Sequence, residues 1–470
     1  MAYVTGPETQ AATAYAVEAA LFRRLLALGA TLLRLFFVTR AATRPAEPVA
    51  APDGTPLAYH DRRPRTYYSV FGKVGFTRHS FTAPGQAGVC PLDAALSLPP
   101  RCSSDLLREW ADYGSTDSSY RESGTMLAHI LGLPLRVQAL ETAVAADAQD
   151  VGSFYERPPR PVVAPAATLL VVQADGKGVP PVQPPPAAPP VRLGQGQKRT
   201  QKKEAVVTAL YTIAPYPRTP ADVVAALLHE ADRAGAPARS APGAKEVRAT
   251  LAGKAAALTQ LAARAAQRDT AGIQQRVALT DGAEALQQQL LAQFPGSTLV
   301  LGIIHAAEYR WETANALLGE RHPGRTAWVR GHLGHLLAGQ TAAVIAALRQ
   351  AADAPTCTAA QRVVVLRTAG YYQRNAPSMH YDQCLAQGWP IGTGVVEGAC
   401  GPLVKARMEQ RGMRWTRAGA QAVLDLRAVR LNGDWDAYWR FHRQQRHQRR
   451  YGDSVAVPPA AEAQLDQFAA

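Results

Sequence analysis

Four segments between residues 167 and 318 contain strand-like apolar runs, and their alternation with helical runs constrains the fold more than any other feature. In chain order they are "ATLLVVQADGKGVP", "EAVVTALYTIAP", "QQRVALTDGAEALQQQLLAQF" and "PGSTLVLGIIHAAEYRWETANALL". Each of the last two predicts a strand followed by a helix. Strands that alternate with helices specify a mixed or parallel sheet with helices on its faces. The sequence therefore predicts an α/β core, with further helix over 220–270 and over nearly all of 306–385.

Two aspartates stand in the same setting within these segments. Asp175 and Asp281 each follow an apolar run and precede a glycine, in "LLVVQADG" and "RVALTDG". Ligands bind at the carboxyl ends of the strands in open α/β sheets, because side chains from neighbouring strands converge there. An Asp-Gly pair after a strand is also common in ordinary turns. Neither aspartate identifies a site by itself.

A third acid, Glu397, lies in "PIGTGVVEGACGPLVKARMEQRGMRW" at 390–415. A glutamate in the first turn of a helix is most often a partner of the helix dipole. The order Asp, Asp, Glu across an α/β core favours a stronger interpretation, since three carboxylates can surround one or two Mg²⁺ or Mn²⁺ ions. Two such ions can activate a water or hydroxyl and stabilise the leaving oxygen of a phosphodiester.

The helix that carries Glu397 has a regular apolar stripe. Val396, Cys400, Val404 and Met408 recur every four residues and are expected to face the core. Glu397 then lies at the edge of the stripe, where it can face the ends of the strands.

Basic residues dominate the chain after Glu397, and the whole sequence has a formal charge of +14 and a pI of about 9.7. This balance favours a polyanionic partner, nucleic acid first. The alternative is a solvated arginine-rich helix. Trp415, Trp435, Tyr438 and Trp439 lie among these cations and are expected to pack. The predicted phosphate contacts, taken from this stretch and from the loop "GQGQKRTQKK", are Lys198, Arg199, Lys202, Lys203, Lys405, Arg407, Arg411 and Arg414.

The N-terminal third has a different character. The run "AVEAALFRRLLALGATLLRLFFVTR" is interrupted by three arginines and predicts an amphipathic packing or partner helix rather than a membrane span. A hairpin is expected at 66–81, and helices at about 103–112, 117–130 and 135–147. The last two are joined by "LGLPL", as in a helix-turn-helix. A generic helical hairpin is the alternative, and the basic character of the chain favours DNA binding.

Five cysteines are scattered without a C-x-x-C pair. A disulfide framework and a four-ligand zinc site are therefore not expected, and a reducing compartment fits. With no signal-type cleavage region, we expect a cytoplasmic, nucleoid-associated protein without a membrane partner.

Several of these motifs together resemble one family. "VQADGKGVP", "TDGAEALQ", "LGIIHAAEYRW" and above all "GWPIGTGVVEGACGPLVKARMEQRGMRWTRAGAQAVLDLRA" resemble bacterial insertion-sequence transposases of the ISKra type, which are related to the Mutator-like DDE transposases. The resemblance extends from "YYSVFGKVGFTRHSF" to "NGDWDAYWRFH". It implies a ribonuclease-H-like catalytic core whose acidic triad falls on Asp175, Asp281 and Glu397, with 306–385 as a largely helical insertion. It also implies Mg²⁺-dependent cleavage and strand transfer on double-stranded DNA by a homo-oligomer.

The chain departs from the family pattern at Gly302. The family typically has Leu-Asp-Ile-Ile-His where this sequence has "LGIIH". We expect Asp281 to be the second metal ligand, because it ends the strand beside that of Asp175. Gly302 would then be an accessory position beside His305, itself an accessory residue. Gly302→Asp is expected to raise activity at little cost to folding.

The linker "RPPRPVVAP" at 157–165 is the strongest predicted boundary. The predicted segments are an N-terminal helix and linker (1–60), a hairpin with a helix-turn-helix-like region (61–157), the catalytic core (158–305 and 386–431), the insertion (306–385) and a basic tail (432–470). Two alternatives to a transposase stay open. One is a ribonuclease-H-like nuclease or resolvase without strand transfer, and the other is a catalytically degraded DNA-binding relic.

Overall fold

A computed structural model of the chain describes residues 3–45, 49–51, 54–86, 88–157, 168–182, 202–230, 240–410 and 412–452. The chain divides into two compact units, here called the N-terminal unit (1–150 with 434–470) and the central unit (151–433). The predicted segment boundaries stay predictions. The clearest difference between the observed units and the predicted segments is at 435–451. This stretch, predicted as part of a basic tail, forms a helix of the N-terminal unit.

The N-terminal unit contains a long helix, a hairpin and a group of shorter helices. Its elements are α1 (Ala14–Ala42), β1 (Val49–Ala50), β2 (Pro56–Ser69), β3 (Gly72–Thr82), α2 (Pro91–Ala95), α3 (Asp105–Asp117), α4 (Tyr120–Leu131), α5 (Val137–Asp147) and the C-terminal helix α18 (Trp435–Tyr451).

The hairpin supports α1. β2 and β3 pair antiparallel from Ala58↔Thr82 to Ser69↔Gly72, so the hairpin is longer than predicted. Phe37 of α1 stacks on Phe76 of β3 with ring centroids 4.2 Å apart. A side chain at position 29 of α1 would displace the Phe71 ring, because a Cβ there would lie 2.5 Å from it. Large apolar side chains and one close approach therefore hold the helix on the hairpin.

The three predicted helices before residue 150 are present as α3, α4 and α5. Ser119 and Glu122 form a capping box at the start of α4, which fixes that boundary. Gly124 lets α4 approach α5, since a Cβ there would lie 3.2 Å from the Leu135 carbonyl oxygen and 3.3 Å from a Leu140 methyl group. The close helix pair is therefore real, whereas its contact with DNA stays a prediction.

A buried ion cluster links α18 to α3 and α5. His442 Nε2 lies 3.0 Å from Asp147 Oδ1, and its Nδ1 lies 2.7 Å from Asp150 Oδ2. Arg108 Nε donates to Asp147 Oδ2 at 3.0 Å. Burial opposes ionisation, but the hydrogen bond from His442 and the charge of Arg108 hold the pKa of Asp147 below its ordinary value. Asp147 is therefore the shared anion of two cationic groups.

By length and composition alone, α1 could also cross a membrane. Its most apolar window of 18 residues has a mean hydropathy of 1.6 and is 11% buried. A signal sequence near an N-terminus and a core helix meet the same criterion, so the expected absence of a membrane partner stays a prediction.

The central unit contains a five-stranded sheet and most of the helices. Its elements are α6 (Val151–Glu156), β4 (Leu169–Val179), β5 (Lys203–Ile213), α7 (Pro220–Leu227), β6 (Gly243–Thr250), α8 (Lys254–Arg268), β7 (Gln275–Thr280), α9 (Glu284–Gln293), β8 (Thr298–Leu301), α10 (Ile303–Leu318), α11 (Arg325–Leu337), α12 (Thr341–Asp353), α13 (Ala359–Asn375), α14 (Tyr381–Ala386), α15 (Gly394–Cys400), α16 (Ala406–Met408) and α17 (Arg417–Leu431).

The sheet is mixed, in the order β6-β5-β4-β7-β8. β5 runs antiparallel to β4 and β6, whereas β7 and β8 run parallel to β4. Alternate residues of each strand face opposite layers. Val171, Tyr211 and Leu279 pack with the helices around α10–α14, and Leu170, Leu210 and Ala278 pack with α8 and α9. The predicted α/β class is correct, and the arrangement is compatible with a ribonuclease-H-like core.

One element of the core differs from the prediction. The stretch 220–270, expected to be helical throughout, contains strand β6. Its "GAKEVRAT" sequence is charged and alanine-containing, a composition that is typical of a helix. Glu246 is nevertheless buried, because Arg264 and Arg268 of α8 both contact its carboxylate, at 2.7 Å and 2.6 Å. Long-range ion pairing therefore allows a strand that local sequence does not predict.

The outer edge of β6 is covered by α17. The Gln421 amide donates to the Ala249 carbonyl oxygen at 3.1 Å and accepts from the Leu251 N–H at 2.8 Å. The Asn432 amide accepts from the Val247 N–H at 2.8 Å and donates to its carbonyl oxygen at 3.1 Å. Two side-chain amides thus pair with backbone groups that an edge strand otherwise leaves open to another chain.

The stretch 306–385 is helical as predicted, while its role as an insertion stays a prediction. Buried polar contacts hold α10 against α13. Arg310 is fully buried and donates to the Tyr372 hydroxyl at 2.9 Å, while that hydroxyl donates to the Ala306 carbonyl oxygen at 2.6 Å. Burial, with the nearby Arg310 charge, lowers the pKa of His332 to about 4. His332 is therefore neutral at pH 7 and can accept from Arg310 Nη1, 3.3 Å away.

Candidate active site

The sequence suggested that Asp175 lies just beyond the end of its strand. In the structure it lies within β4. β4 continues through Gly176 and Gly178 to Val179 because β5 keeps pairing with it, from Asp175↔Val207 to Val179↔Lys203. On its other side, the parallel pairing with β7 ends at Gln173↔Leu279. The Asp175 side chain is half-buried, at the point where one neighbouring strand has ended.

Asp175 and Asp281 both follow the last residue pair of the β4–β7 ladder. That pair is Gln173 with Leu279, and each aspartate comes two residues later in its own segment. Asp175 is still within β4, whereas Asp281 lies in the turn that follows β7.

A tight turn holds Asp281. Its Oδ1 accepts from the Ala283 N–H at 2.9 Å, and its backbone carbonyl oxygen accepts from the Tyr371 hydroxyl at 2.9 Å. The next residue, Gly282, has φ +89°, a left-handed conformation that favours glycine. Burial and the nearby Tyr309 raise the pKa of Tyr371, which therefore keeps its proton for this hydrogen bond.

Gln173 fastens the Glu397 helix to the sheet. This side chain is fully buried in the centre of β4. Its Oε1 accepts from the Val396 N–H at 2.9 Å, and its Nε2 lies 3.0 Å from the Tyr211 hydroxyl and 3.3 Å from the Gly392 carbonyl oxygen. The start of α15 is thus bound to β4 two residues before Asp175.

The Glu397 carboxylate has two polar neighbours. Its Oε1 accepts from the Thr393 hydroxyl one turn earlier and lies 3.3 Å from His305 Nε2. His305 Nδ1 lies 3.2 Å from Glu308 Oε2. The side chains of Glu397 and His305 are 32% and 28% exposed. His305, predicted only as an accessory residue, therefore contacts Glu397 between two carboxylates.

Cys400 connects Asp175 with the same helix. Its thiol lies 3.2 Å from Asp175 Oδ2. Burial, followed by the Asp175 and Glu397 charges, raises the pKa of Cys400 to about 12. The sulfur stays protonated and donates to the carboxylate. The short helix α15 therefore contacts Asp175 through Cys400 and His305 through Glu397.

A wide turn follows. Residues Gly401–Lys405 form a π-helical turn between α15 and α16, and such turns are frequent at functional sites. Arg427 of α17 is buried and donates to the Pro402 and Leu403 carbonyl oxygens, the latter at 3.0 Å. The predicted apolar stripe, comprising Val396, Cys400, Val404 and Met408, is buried throughout.

The environment of Gly302 is more crowded than the low expected folding cost of Gly302→Asp requires. Gly302 is buried, its N–H donates to the Thr280 carbonyl oxygen at 2.8 Å, and it begins α10. A Cβ there would lie 2.9 Å from Thr393 Oγ1 and 3.0 Å from its methyl group. The expected small folding cost of Gly302→Asp is therefore wrong. The backbone is not the obstacle, since φ −60° and ψ 122° suit any residue.

Gly302→Asp alone is expected to destabilise the protein by about 1–3 kcal/mol, because it overpacks against Thr393. The double variant Gly302→Asp/Thr393→Ala is expected to regain part of the stability, since alanine removes the two nearest of the three crowding atoms and leaves the Thr280 carbonyl oxygen at 3.3 Å, while aspartate favours the N-cap position. Urea denaturation of the two single variants and the double variant measures the coupling, expected at roughly 0.5–3 kcal/mol. Gly296→Asp is the control, because a Cβ there meets nothing within 4 Å. Additive effects would show that Thr393 is not the constraint.

The eight predicted phosphate contacts comprise residues outside the described part of the chain, exposed residues, and one buried residue, Arg407. Lys198, Arg199 and Arg411 lie outside the described residues. Lys202, Lys203, Lys405 and Arg414 are exposed, and Lys202 lies 2.5 Å from Glu409.

Arg407 corrects the prediction of a phosphate contact. It is 1% exposed, lies over the Trp415 ring at 4.7 Å, and its Nη1 contacts the Met413 sulfur at 2.9 Å. Its guanidinium stabilises the fold instead. Trp415, Tyr438 and Trp439 are buried, as the packing prediction required.

Within the described part of the chain, no group of three or more His, Cys, Asp and Glu side chains is close enough to hold a metal ion. The donor chemistry nevertheless suits Mg²⁺, because Asp175, Asp281 and Glu397 supply carboxylate oxygens. The side chains of all three are half-buried rather than enclosed.

Sequence reasoning did not identify the residues that hold the acids in place. Gln173, Cys400 and Tyr371 act through contacts with distant segments, whereas Thr393 contacts Glu397 one helical turn later. Only Gln173 carried a signal, as a polar residue inside the apolar run "LLVVQAD". A buried polar group requires a partner, and here that partner is α15.

Comparisons with known proteins give little further information. No protein-family profile and no curated protein matches the chain. One solved structure that matches is the Drosophila P element transposase strand transfer complex, with a TM-score of 0.23 and 8% sequence identity, covering 73% of this chain and 80% of that one. A similarity at this level supports no argument about this protein.

Proposed function

We propose that this protein is a DDE-type transposase of a bacterial insertion sequence, which binds element ends and catalyses metal-dependent DNA cleavage and strand transfer. The observation that supports the proposal is the attachment of the Glu397 helix to the strand of Asp175. Gln173 of β4 accepts from the Val396 N–H, and Cys400 contacts Asp175. Asp281 follows β7, the parallel neighbour of β4. The family resemblance of the sequence supports the same assignment.

The chemistry would proceed in two phosphodiester steps. Bound Mg²⁺ would supply activation of the attacking oxygen and stabilisation of the leaving oxygen. Asp175, Asp281 and Glu397 would hold it through their carboxylates. In the first step water attacks a phosphorus atom at the element end and a 3′-hydroxyl leaves. In the second step that 3′-oxygen attacks a target phosphodiester, and the target's own 3′-oxygen leaves.

Residues around the acids would keep the carboxylates oriented. Thr393 and His305 contact Glu397, and Cys400 contacts Asp175. A positioned ligand needs such neighbours, because they limit the orientations that it can adopt. We infer that these three are positioning residues.

Double-stranded DNA is the proposed partner, and exposed cations near the Glu397 helix would contact its phosphates. Neutralising Lys405 and Arg414 together, as Lys405→Gln/Arg414→Gln, is expected to weaken binding to all DNA sequences similarly. The slope of log K against log salt should fall by about 0.9 for each lost phosphate contact. Fluorescence anisotropy over a series of salt concentrations measures the slope.

The matched control is Arg362→Gln, which removes an exposed arginine of the insertion, paired with Asp353. Its salt slope should equal that of the wild type. If Lys405→Gln/Arg414→Gln also leaves the slope unchanged, these two cations do not contact DNA phosphates.

One assay distinguishes the proposed transposase from its alternatives. Purified protein is incubated with Mg²⁺, a linear DNA that carries the element end and a circular target DNA. Joined products support the transposase. Cleavage without joining indicates a nuclease or resolvase, and binding without cleavage indicates a relic.

A further inference from the structure

Five leucines of α1 recur at alternating spacings of four and three residues. They are Leu21, Leu25, Leu28, Leu32 and Leu35. This is the a and d pattern of a heptad repeat, which forms a single seam along a helix. Leu25, Leu28, Leu32 and Leu35 are 61%, 54%, 57% and 60% exposed. The stripe thus has the pattern of a buried seam and the exposure of a free surface.

The opposite face of the same helix is already occupied. Leu26 packs against the cluster around Val70 and Leu107, while Leu33 and Phe37 pack with the hairpin. The helix is therefore formed and held in place, and its leucines point away from the unit's own core. The entropy cost of ordering this helix is met by the fold, so a partner gains from a surface that is already organised.

The residues beside the leucine stripe suit a second copy of the same helix. Phe22, Gly29 and Phe36 flank it on one side, and Arg24, Thr31 and Val38 on the other. In a parallel pair, Arg24 would face position 29 of the second copy, where the Phe71 ring lies over Gly29, so like charges would not meet. Arg24 also lies over the Tyr3 ring at 3.1 Å, within its own chain.

The apolar area that each copy of the stripe can bury is close to that of a standard protein–protein interface. Seven side chains along the stripe are 43–61% exposed: Phe22, Leu25, Leu28, Leu32, Leu35, Phe36 and Val38. Their exposed area is roughly 100 Å² each, on the scale of about 150–250 Å² for a whole aromatic side chain, so complete burial sets an upper limit of about 700 Å² per copy. A standard interface buries about 800 Å² on each partner.

We propose that α1 pairs with α1 of a second copy of this chain through the leucine stripe, as a coiled coil. A heptad seam recognises another heptad seam, which is why a second copy fits better than a lipid surface does. The pairing does not depend on the proposed function, because it needs neither DNA nor metal.

Sedimentation equilibrium of the full chain without DNA, over a range of micromolar concentrations, tests the pairing. The wild type is expected to be dimeric. Leu25→Glu/Leu32→Glu should weaken the dimer at least 100-fold and give monomers, because it places charges at two seam positions. Both leucines are exposed, so the circular dichroism spectrum should change little. The control, Val363→Glu/Leu366→Glu, alters two exposed apolar residues of α13, 67% and 42% exposed, and should stay dimeric.

Two results would overturn the proposal. The first is a monomeric wild type, and the second is a dimer that persists in Leu25→Glu/Leu32→Glu. If a monomeric wild type co-sediments with phosphatidylglycerol vesicles while Leu25→Glu/Leu32→Glu does not, the stripe binds a membrane surface instead. Because no DNA is present, these results do not depend on whether the protein is a transposase.

Discussion

Asp175→Asn, Asp281→Asn and Glu397→Gln are each expected to lower the rate of DNA cleavage by about 10³-fold or more, while DNA binding stays within a factor of about two. Each amide keeps the size of the side chain and removes its charge. A metal ion contributes several kcal/mol of stabilisation to the transition state, and about 1.4 kcal/mol corresponds to a tenfold change in rate. Phosphate contacts by cations are made elsewhere, so affinity should persist.

Single-turnover cleavage of an element-end DNA and a parallel binding titration measure the two effects. Glu284→Gln is the matched control, since Glu284 is an exposed acid in the first turn of α9, three residues from Asp281. It should cleave at the wild-type rate. Wild-type cleavage by Asp281→Asn would reject the choice of second ligand, and loss of binding in all three variants would indicate a structural role.

Asp147→Ala is expected to destabilise the N-terminal unit by about 3–5 kcal/mol, which is the usual cost of removing one partner from a buried ion pair. Asp147 is fully buried and contacts both Arg108 and His442. Without its carboxylate, two cationic groups would lose their shared partner inside the core. Replacement therefore costs far more than the loss of a surface ion pair.

Hydrogen exchange measures this effect separately in each unit. Amides of α3 and α5 should lose protection in Asp147→Ala, whereas those of β4 and β7 should keep it. The control is Asp353→Ala, which breaks the exposed ion pair with Arg362 and should cost no more than about 1 kcal/mol. Unchanged protection of α3 and α5 would show that the buried cluster contributes little to stability.

The sequence predicts those features that local periodicity and composition encode. The strands around Asp175 and Asp281, the helices α3–α5 and the buried stripe from Val396 to Met408 all follow from spacing alone. In each case the apolar pattern and the final burial agree, since no distant segment alters the local preference.

Features that depend on distant contacts are not predictable in this way. The composition of strand β6 by itself indicates a helix. The strand forms because Arg264 and Arg268 neutralise the buried Glu246. Arg407 has the sequence environment of a DNA contact and is buried against Trp415. The restriction at Gly302 comes from Thr393, which is 91 positions later in the chain. Contacts between remote residues decide the first and the third case, whereas Arg407 is buried by Met413 and Trp415, six and eight positions later.

The cover over β6 has a consequence for synthesis of the chain. Gln421 and Leu251, which hydrogen-bond to each other, are 170 positions apart. At about 5–20 residues per second, a ribosome needs about 10–35 seconds to add the stretch between them. During that interval the nascent sheet has an open edge, which can pair with a neighbouring nascent chain on the same messenger. Translation speed downstream of β6 therefore sets how long each new molecule is exposed to mispairing.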